Sequence, residues 1–355
     1  MSRALLSGSV SDICLDLVTT ASEYGQEKQL ADLIEARVGL LGRPVERIGN
    51  SVLTRTGGEG PTFALVGHLD TVPNWPDGRS ERTATRVIGR GASDMKGGVA
   101  VMLRLLERLV DSPRPVVFVF YDREEGPNLD NGIHRVLAES RLLDPKPSIA
   151  VVLEPTGCTI HAGAVGTLNA DIIFNGSTAH SARPWEGSNA VSTALSEALA
   201  RFAARDPIPV DVEGLRYHDV VTVTGVHAGV ARNVLPDRVE LWVNVRVAPG
   251  RSVADARAEV ERLAGPHAHV EWLDISPPAL PRLSDPAVAD FIARRGLSVH
   301  PKQAWTDVAT LQEWGVPAFN FGPGEPSQAH QPGEWVAIAM LEHCEQVLAE
   351  ELGAR

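Results

Sequence analysis

Apolar positions recur along the chain in two rhythms. Between residues 12 and 41, Ile13, Leu17, Leu30, Leu33, Ile34, Val38 and Leu41 stand at helical spacing, which predicts two helices broken near Ser22 to Gly25. Strand and helix signals then alternate. "TFALVGHLD" predicts a strand, "GGVAVMLRLLERLV" a helix, "PVVFVFY" a strand, "GIHRVLAES" a helix and "SIAVVLEP" a strand. These strands are apolar throughout rather than at every second position, which is the pattern of burial on both faces of a parallel sheet. The fold class expected is α/β, with a mostly parallel sheet.

After Gly166 the strands alternate apolar and polar. "TLNADIIF", a helix over "NAVSTALSEALARFA", "DVVTVTGV", "DRVELWVNVRV", a helix over "SVADARAEVERLA" and "HVEWLD" give the order βαββαβ, a ferredoxin-like unit with one sheet face covered by helices. The prolines of "SPPALPRL" mark its end. Beyond them "SDPAVADFIARRG", "TDVATLQEWG", "PAFNFGPG" and a helix from about Val336 resume buried signals. The division expected is one domain built from 1–165 and 280–355, with a second inserted at 166–279.

With 43% hydrophobic and 22% charged residues in 355, the chain has the composition of a globular protein and not of a disordered one. A net charge of -12, without a run of five basic residues, excludes a general nucleic-acid surface. Any anionic ligand must therefore be met by a few local arginines. Cys14, Cys158 and Cys344 form no C-x-x-C pair, so a disulfide framework is not expected and a reducing cytoplasm is. The first residues carry no leader pattern and no segment reaches membrane-spanning length, so a cytoplasmic protein with no membrane partner is expected.

In an open parallel sheet ligands bind outside the carboxyl ends of the strands. The residues there are His68 and Asp70 in "LVGHLDTVP", Asp94 in "GRGASDMKGG", Glu124 and Glu125 in "YDREEGP", Glu154 in "VVLEPTG" and, late in the chain, His330 in "SQAHQPGE". Singly, each is more often a cap or a salt-bridge partner than a ligand. Together they are a metal-ligand inventory, because crowded carboxylates repel one another until a divalent cation removes the penalty. Nitrogen and oxygen donors without thiolate suit zinc, with cobalt or manganese as alternatives. Other motifs carry less. "GRGASDM" lacks the third glycine of a dinucleotide fingerprint, and Lys96 precedes its glycine pair, so neither a Rossmann turn nor a P-loop is supported. His267 and His269 have no partners nearby, and Cys158 reads as a buried filler.

In order and spacing, "GHLDTVP", "GRGASDMKGG", "EEGP", "LEPTG" and the late "AH" resemble the M20 family of di-zinc amidohydrolases and peptidases, over essentially the whole chain. The resemblance implies a di-zinc peptidase-like catalytic domain with an inserted lid domain that also makes a homodimer. It gives His68 and Glu154 to one metal, Glu125 and His330 to the other, and Asp94 as the bridge. It makes Asp70 the partner of the far nitrogen of His68, Glu124 the general base, and His180, from the partner subunit's lid, a donor to the oxyanion. "WTDV", "NFGPGEPSQAH" and "HSARPW" look most like the actinobacterial-type succinyl-diaminopimelate desuccinylases. By that likeness Arg183, Asn233, Arg246 and Thr306 meet a small acyl amino acid substrate, N-succinyl-LL-2,6-diaminopimelate. Pro326 departs from the Asn some desuccinylases carry there. A related deacylase or peptidase, acting on acetylornithine, acetyl-lysine or another acyl amino acid, is the neighbouring expectation, since the metal centre is common to all.

Overall fold

The computed structural model describes residues 5–76, 78–109 and 114–354, and the side chains of all of these except 193–195. Two units emerge. One comprises Met1–Gly163, Arg282–His300 and Thr306–Arg355; the other comprises Ala164–Pro281 and Pro301–Trp305.

The first unit is built on an eight-stranded sheet. Its order is Val45–Ile48, Ser51–Arg55, Val116–Tyr121, Phe63–His68, Ile149–Val152, Ala318–Asn320, Ile160–Ala162 and Val299–Pro301. The middle four strands, from Val116–Tyr121 to Ala318–Asn320, run parallel. Every residue of Phe63–His68, Val116–Tyr121 and Ile149–Val152 is buried, as their unbroken apolar pattern requires. Helix Lys96–Arg108 packs against both Val10–Thr19 and Ile338–Leu352, and their buried faces join the sheet in one core. Glycine brings that helix close to the strand ends. A Cβ on Gly98 would lie 2.3 Å from the Leu153 carbonyl oxygen, and one on Gly67 would lie 2.8 Å from Met95 Cε. The predicted end of this helix, at Val110, lies outside the described residues.

The sequence reading differs from the structure at both edges of this sheet, since the outer strands Ile160–Ala162 and Val299–Pro301 were not expected either. Val45–Ile48 and Ser51–Arg55 form an antiparallel hairpin whose second strand pairs antiparallel with Val116–Tyr121. "VERI" is short and half charged, so its periodicity carries little signal. The strand Trp335–Ala337, directly before the last helix, was likewise not anticipated; it joins a separate three-stranded sheet with Arg86–Ile88 and Glu81–Arg82.

The second unit is a five-stranded antiparallel sheet in the order Ile208–Val212, Leu215–Ala228, Arg238–Val247, Gly166–Asn175 and His269–Ser276. Its last four strands have the ferredoxin-like order. The first is an added edge strand that the sequence reading missed, because Pro209 and Asp211 are both strand-unfavourable and only an edge tolerates them. Helical residues 190–203, with a π turn over Ala194–Ala198, and the helix Val253–Ala264 supply Ala198, Phe202, Val260 and Leu263 to a core with Leu168, Ile172 and Phe174. Ser252 caps the latter helix by accepting the Asp255 N–H, and Gly265 at φ 87° ends it.

Candidate metal centre

The carboxyl edge of the parallel strands gathers side chains from five segments of the first unit. His68 is the last residue of its strand, level with Tyr121 next door. Glu124 and Glu125 follow three and four residues after Tyr121, past Arg123 at φ 63°. Non-glycine residues hold such a conformation at a cost of about 1–3 kcal/mol, and it persists where surrounding contacts enforce it. Glu154 follows its strand by two residues, Asp94 sits just before helix Lys96–Arg108, and His330, also at φ 63°, lies in the loop after Ala318–Asn320. The Asp94–Met95 peptide bond is cis.

Asp94 stands between the two imidazoles. Its Oδ1 is 3.3 Å from His68 Nε2, and its Oδ2 is 3.6 Å from His330 Nε2. On the first side Glu154 Oε1 is 3.6 Å from His68 Nε2; on the second, Glu125 Oε2 is 3.0 Å from His330 Nε2. Donor atoms of His68, Asp94 and Glu125 all fall within 4.8 Å of one another. His68 is fully buried, whereas the His330 side chain is 53% exposed, so the cluster opens to solvent on the His330 side.

Charge crowding shows in the proton affinities. Burial alone would push His68 down, yet the Asp94 hydrogen bond and the charges of Glu124 and Asp70 hold it well above the usual imidazole range. The Glu125 hydrogen bond, against some burial, raises His330 to about 9. Burial and the neighbouring carboxylates Glu125, Glu154 and Asp307 push Glu124 well up, against the pull of His68. Burial likewise raises Glu125, opposed by its bond to His330. Divalent cations would take over the neutralising role that protons hold here. The tautomer fits this: His68 Nδ1 lies 3.0 Å from the backbone carbonyl of Asp70, which can only accept, so Nδ1 carries the proton and Nε2 is left as the donor to a cation.

Asp70 partners the far nitrogen of His68 as expected, and its side chain has a second task. The backbone carbonyl of that residue, not its carboxylate, takes the far nitrogen of His68, and Oδ1 is 3.6 Å from it. The carboxylate instead accepts the backbone N–H groups of Glu124 at 3.0 Å and Glu125 at 2.8 Å. A buried carboxylate satisfied by two amides holds that turn in place. Two supporting acids went unnoticed in the sequence. Glu334 is fully buried and accepts the N–H groups of Gly91, Ser93 and Asp94, each at 2.9 Å, and Arg90 Nη1 at 3.2 Å. Asp307 accepts the Tyr121 hydroxyl at 2.6 Å and Asn131 Nδ2 at 2.9 Å. Neither stands at the carboxyl end of a predicted strand, although "WTDV" and "HQPGE" contain them.

Thr306, also in the first unit, has a buried hydroxyl without a hydrogen-bond partner among the described residues. The other expected substrate contacts lie in the second unit. His180 bridges Val234, its Nδ1 accepts the Ala182 N–H at 3.1 Å, and the Asn233 carbonyl accepts the Ser181 N–H. Arg183 is exposed, 3.6 Å from Glu186. Arg246 lies on the strand Arg238–Val247 opposite Val220 and Thr167, and burial lowers its proton affinity. No helix among the described residues is long and apolar enough to cross a membrane.

Residues 64–352 match the model of peptidase family M20/M25/M40. A Mycobacterium tuberculosis protein provisionally named succinyl-diaminopimelate desuccinylase DapE is 37% identical over 98% of this chain and 99% of its own length. The succinyl-diaminopimelate desuccinylase of Corynebacterium glutamicum is 34% identical over 95% and 94%. Among solved structures, a tripeptidase of Staphylococcus aureus shares the fold with a TM-score of 0.78 at 19% identity, covering 97% of this chain and 96% of that one. The YXEP protein of Bacillus subtilis, described as a dinuclear metal binding peptidase of the M20 family, does so at 0.71 and 18% identity, covering 98% of each. With the sequence match spanning both units and the acidic and imidazole groups clustered as described, the chain belongs to peptidase family M20/M25/M40 and is a metal-dependent amidohydrolase.

Proposed function

We propose that the protein hydrolyses the amide bond of N-succinyl-LL-2,6-diaminopimelate, giving succinate and LL-2,6-diaminopimelate. The observation that carries the metal assignment is Asp94, whose two oxygens face two different histidines. In this reading His68 and Glu154 hold one divalent cation, Glu125 and His330 the other, and Asp94 both. Zinc suits the donors, with cobalt or manganese as substitutes. The choice of substrate is supported by the full-length likeness to the two actinobacterial proteins.

When bound, the cations supply Lewis acidity to the amide carbonyl and to the attacking water. The rest falls to the chain's own residues. Glu124 stands beside the cluster with a raised proton affinity, so it can accept a proton from the water as the water attacks and return it to the departing amine nitrogen. Asp70 keeps that carboxylate in place through the amides of residues 124 and 125. His180 from a second copy of the chain is assigned as a donor to the oxyanion, and Arg183, Asn233, Arg246 and Thr306 as contacts to the substrate's carboxylates and amide. Arginine matches a carboxylate through paired N–H donors.

The test is amine release by zinc-loaded protein from N-succinyl-LL-2,6-diaminopimelate beside N-acetylornithine. A clear preference for the succinyl compound is expected, and preference for the acetyl compound would replace this reading with that of an acetyl-amino-acid deacylase. Glu124→Gln should retain its zinc while losing about 10²–10⁴-fold in kcat. Undiminished turnover would remove Glu124 from the role of base.

A further inference from the structure

The loop bearing Glu124 and Glu125 leaves the sheet at Tyr121, passes through a 3-10 turn at Asn128–Asp130 and reaches Asn131, the cap of helix Gly132–Glu139. Its apex is held by Asp70, which accepts the amides of residues 124 and 125. Its two feet meet at a single atom. Asp307 Oδ2 accepts the Tyr121 hydroxyl at 2.6 Å and Asn131 Nδ2 at 2.9 Å. Asn131 is held in orientation by its other function, since its Oδ1 accepts the Ile133 N–H at 2.9 Å. A further tie runs directly between the feet, from the Gly132 N–H to the Asp122 carbonyl. Asp307 itself is buried and comes from the segment before helix Val308–Glu313, distant in sequence from the loop it joins. The Tyr121 ring also stands edge-on to His68, with centroids 6.2 Å apart.

A tie needed only for folding would be served by apolar packing between Tyr121 and the helix. A carboxylate oxygen taking two donors instead makes two charge-assisted hydrogen bonds that pin both donors to one point. We propose that Asp307 is a positioning residue for the base: by gripping Tyr121 and Asn131 it sets the span of loop 122–130 and hence the place of the Glu124 carboxylate. This rests on the assignment of Glu124 as base made above.

The experiment compares Asp307→Ala, Asp307→Asn, Tyr121→Phe and Asn131→Ala, with Glu124→Gln alongside. Each is loaded with zinc and assayed on whichever of N-succinyl-LL-2,6-diaminopimelate and N-acetylornithine the wild type hydrolyses. Amide exchange over residues 122–131 is followed in the metal-free proteins. Displacing a catalytic group by about 1 Å costs on the order of 10²-fold, so Asp307→Ala should lose about that in kcat with KM little changed and zinc content intact. Asp307→Asn, which keeps an accepting oxygen in place, should recover most of the loss, and exchange over 122–131 should quicken in Asp307→Ala and not in Asp307→Asn. Wild-type kcat in Asp307→Ala, or a loss that excess zinc restores in full, would overturn the proposal. If Asp307→Ala does not fold, the combined Tyr121→Phe and Asn131→Ala variant decides: lowered kcat is expected, and unchanged kcat overturns it. Turnover surviving in Glu124→Gln would instead refute the base assignment, whatever the Asp307 variants show.

Discussion

Glu334 shows how much of a metal site can lie outside its ligands. Its carboxylate accepts three amides of one loop, those of Gly91, Ser93 and Asp94, and so fixes the residue that faces both histidines. Groups that orient metal ligands commonly account for about 10–100-fold in metal affinity. Glu334→Ala is therefore expected to weaken zinc binding by about that factor, with Glu334→Gln intermediate, in competition against a chelator. Equal affinity in a correctly folded alanine variant would show that the Asp94 loop holds its shape unaided. Sequence could not disclose this residue. "HQPGE" places Glu334 four positions after His330, but nothing in the spacing says that a carboxylate turns inward toward backbone amides.

The central strands and the helices between them were legible because burial on both faces leaves an unbroken apolar run. What escaped were short or polar edge elements: the hairpin strand Val45–Ile48 and the added strand Ile208–Val212, whose stability comes from pairing with a neighbour. The candidate ligands His68, Glu125 and Glu154 stand out for a related reason, since a charged residue is conspicuous where an apolar strand stops, whereas Asp94 and His330 lie in loops and stand out through the family motifs. Asp70 does meet the far nitrogen of His68, but through its backbone carbonyl, because a sequence cannot distinguish a residue's carbonyl from its side chain as the acceptor. In the second unit, polar burial ties elements together. Asp219, nearly buried, accepts Arg205 Nη2 at 2.9 Å, contacts Arg251, and accepts the Ala248 N–H at 3.0 Å, while Glu259 on the helix Val253–Ala264 pairs with both arginines. Removing Asp219 leaves the Ala248 N–H without its acceptor while Glu259 still faces both arginines. Asp219→Ala should cost about 1–3 kcal/mol in that unit. Amide exchange should quicken in Leu215–Ala228 while Phe63–His68 keeps its protection, and equal loss in both would show a single cooperative unit.

Across the whole molecule, all three thiols are buried. Burial pushes Cys14 up from 9.0 to about 12, and burial together with Cys158 holds Cys344 well above the ordinary range. Thiolate is the reactive form, so iodoacetamide at pH 8 should leave Cys14 and Cys344 unmodified in the native protein and label both once it is denatured. Cys14 also links stability to alkalinity. Below pH 9 the thiol is protonated in both states; between 9 and 12 the unfolded chain ionises while the folded one does not. Stability should fall there by about 1.4 kcal/mol per pH unit from this group. Urea midpoints from pH 8.5 to 10.5, compared with Cys14→Ala, isolate that slope, and identical slopes would refute it.

The first unit is written in the chain in pieces, with Ala164–Pro281 intervening before the segment that carries His330 and Glu334. During synthesis His68, Asp94, Glu125 and Glu154 therefore emerge before His330 exists. On the proposed assignment one cation's ligands are translated early and the other's late, yet Glu334, which holds the Asp94 loop, is also late, so neither ion finds a finished site until the last segment has been made.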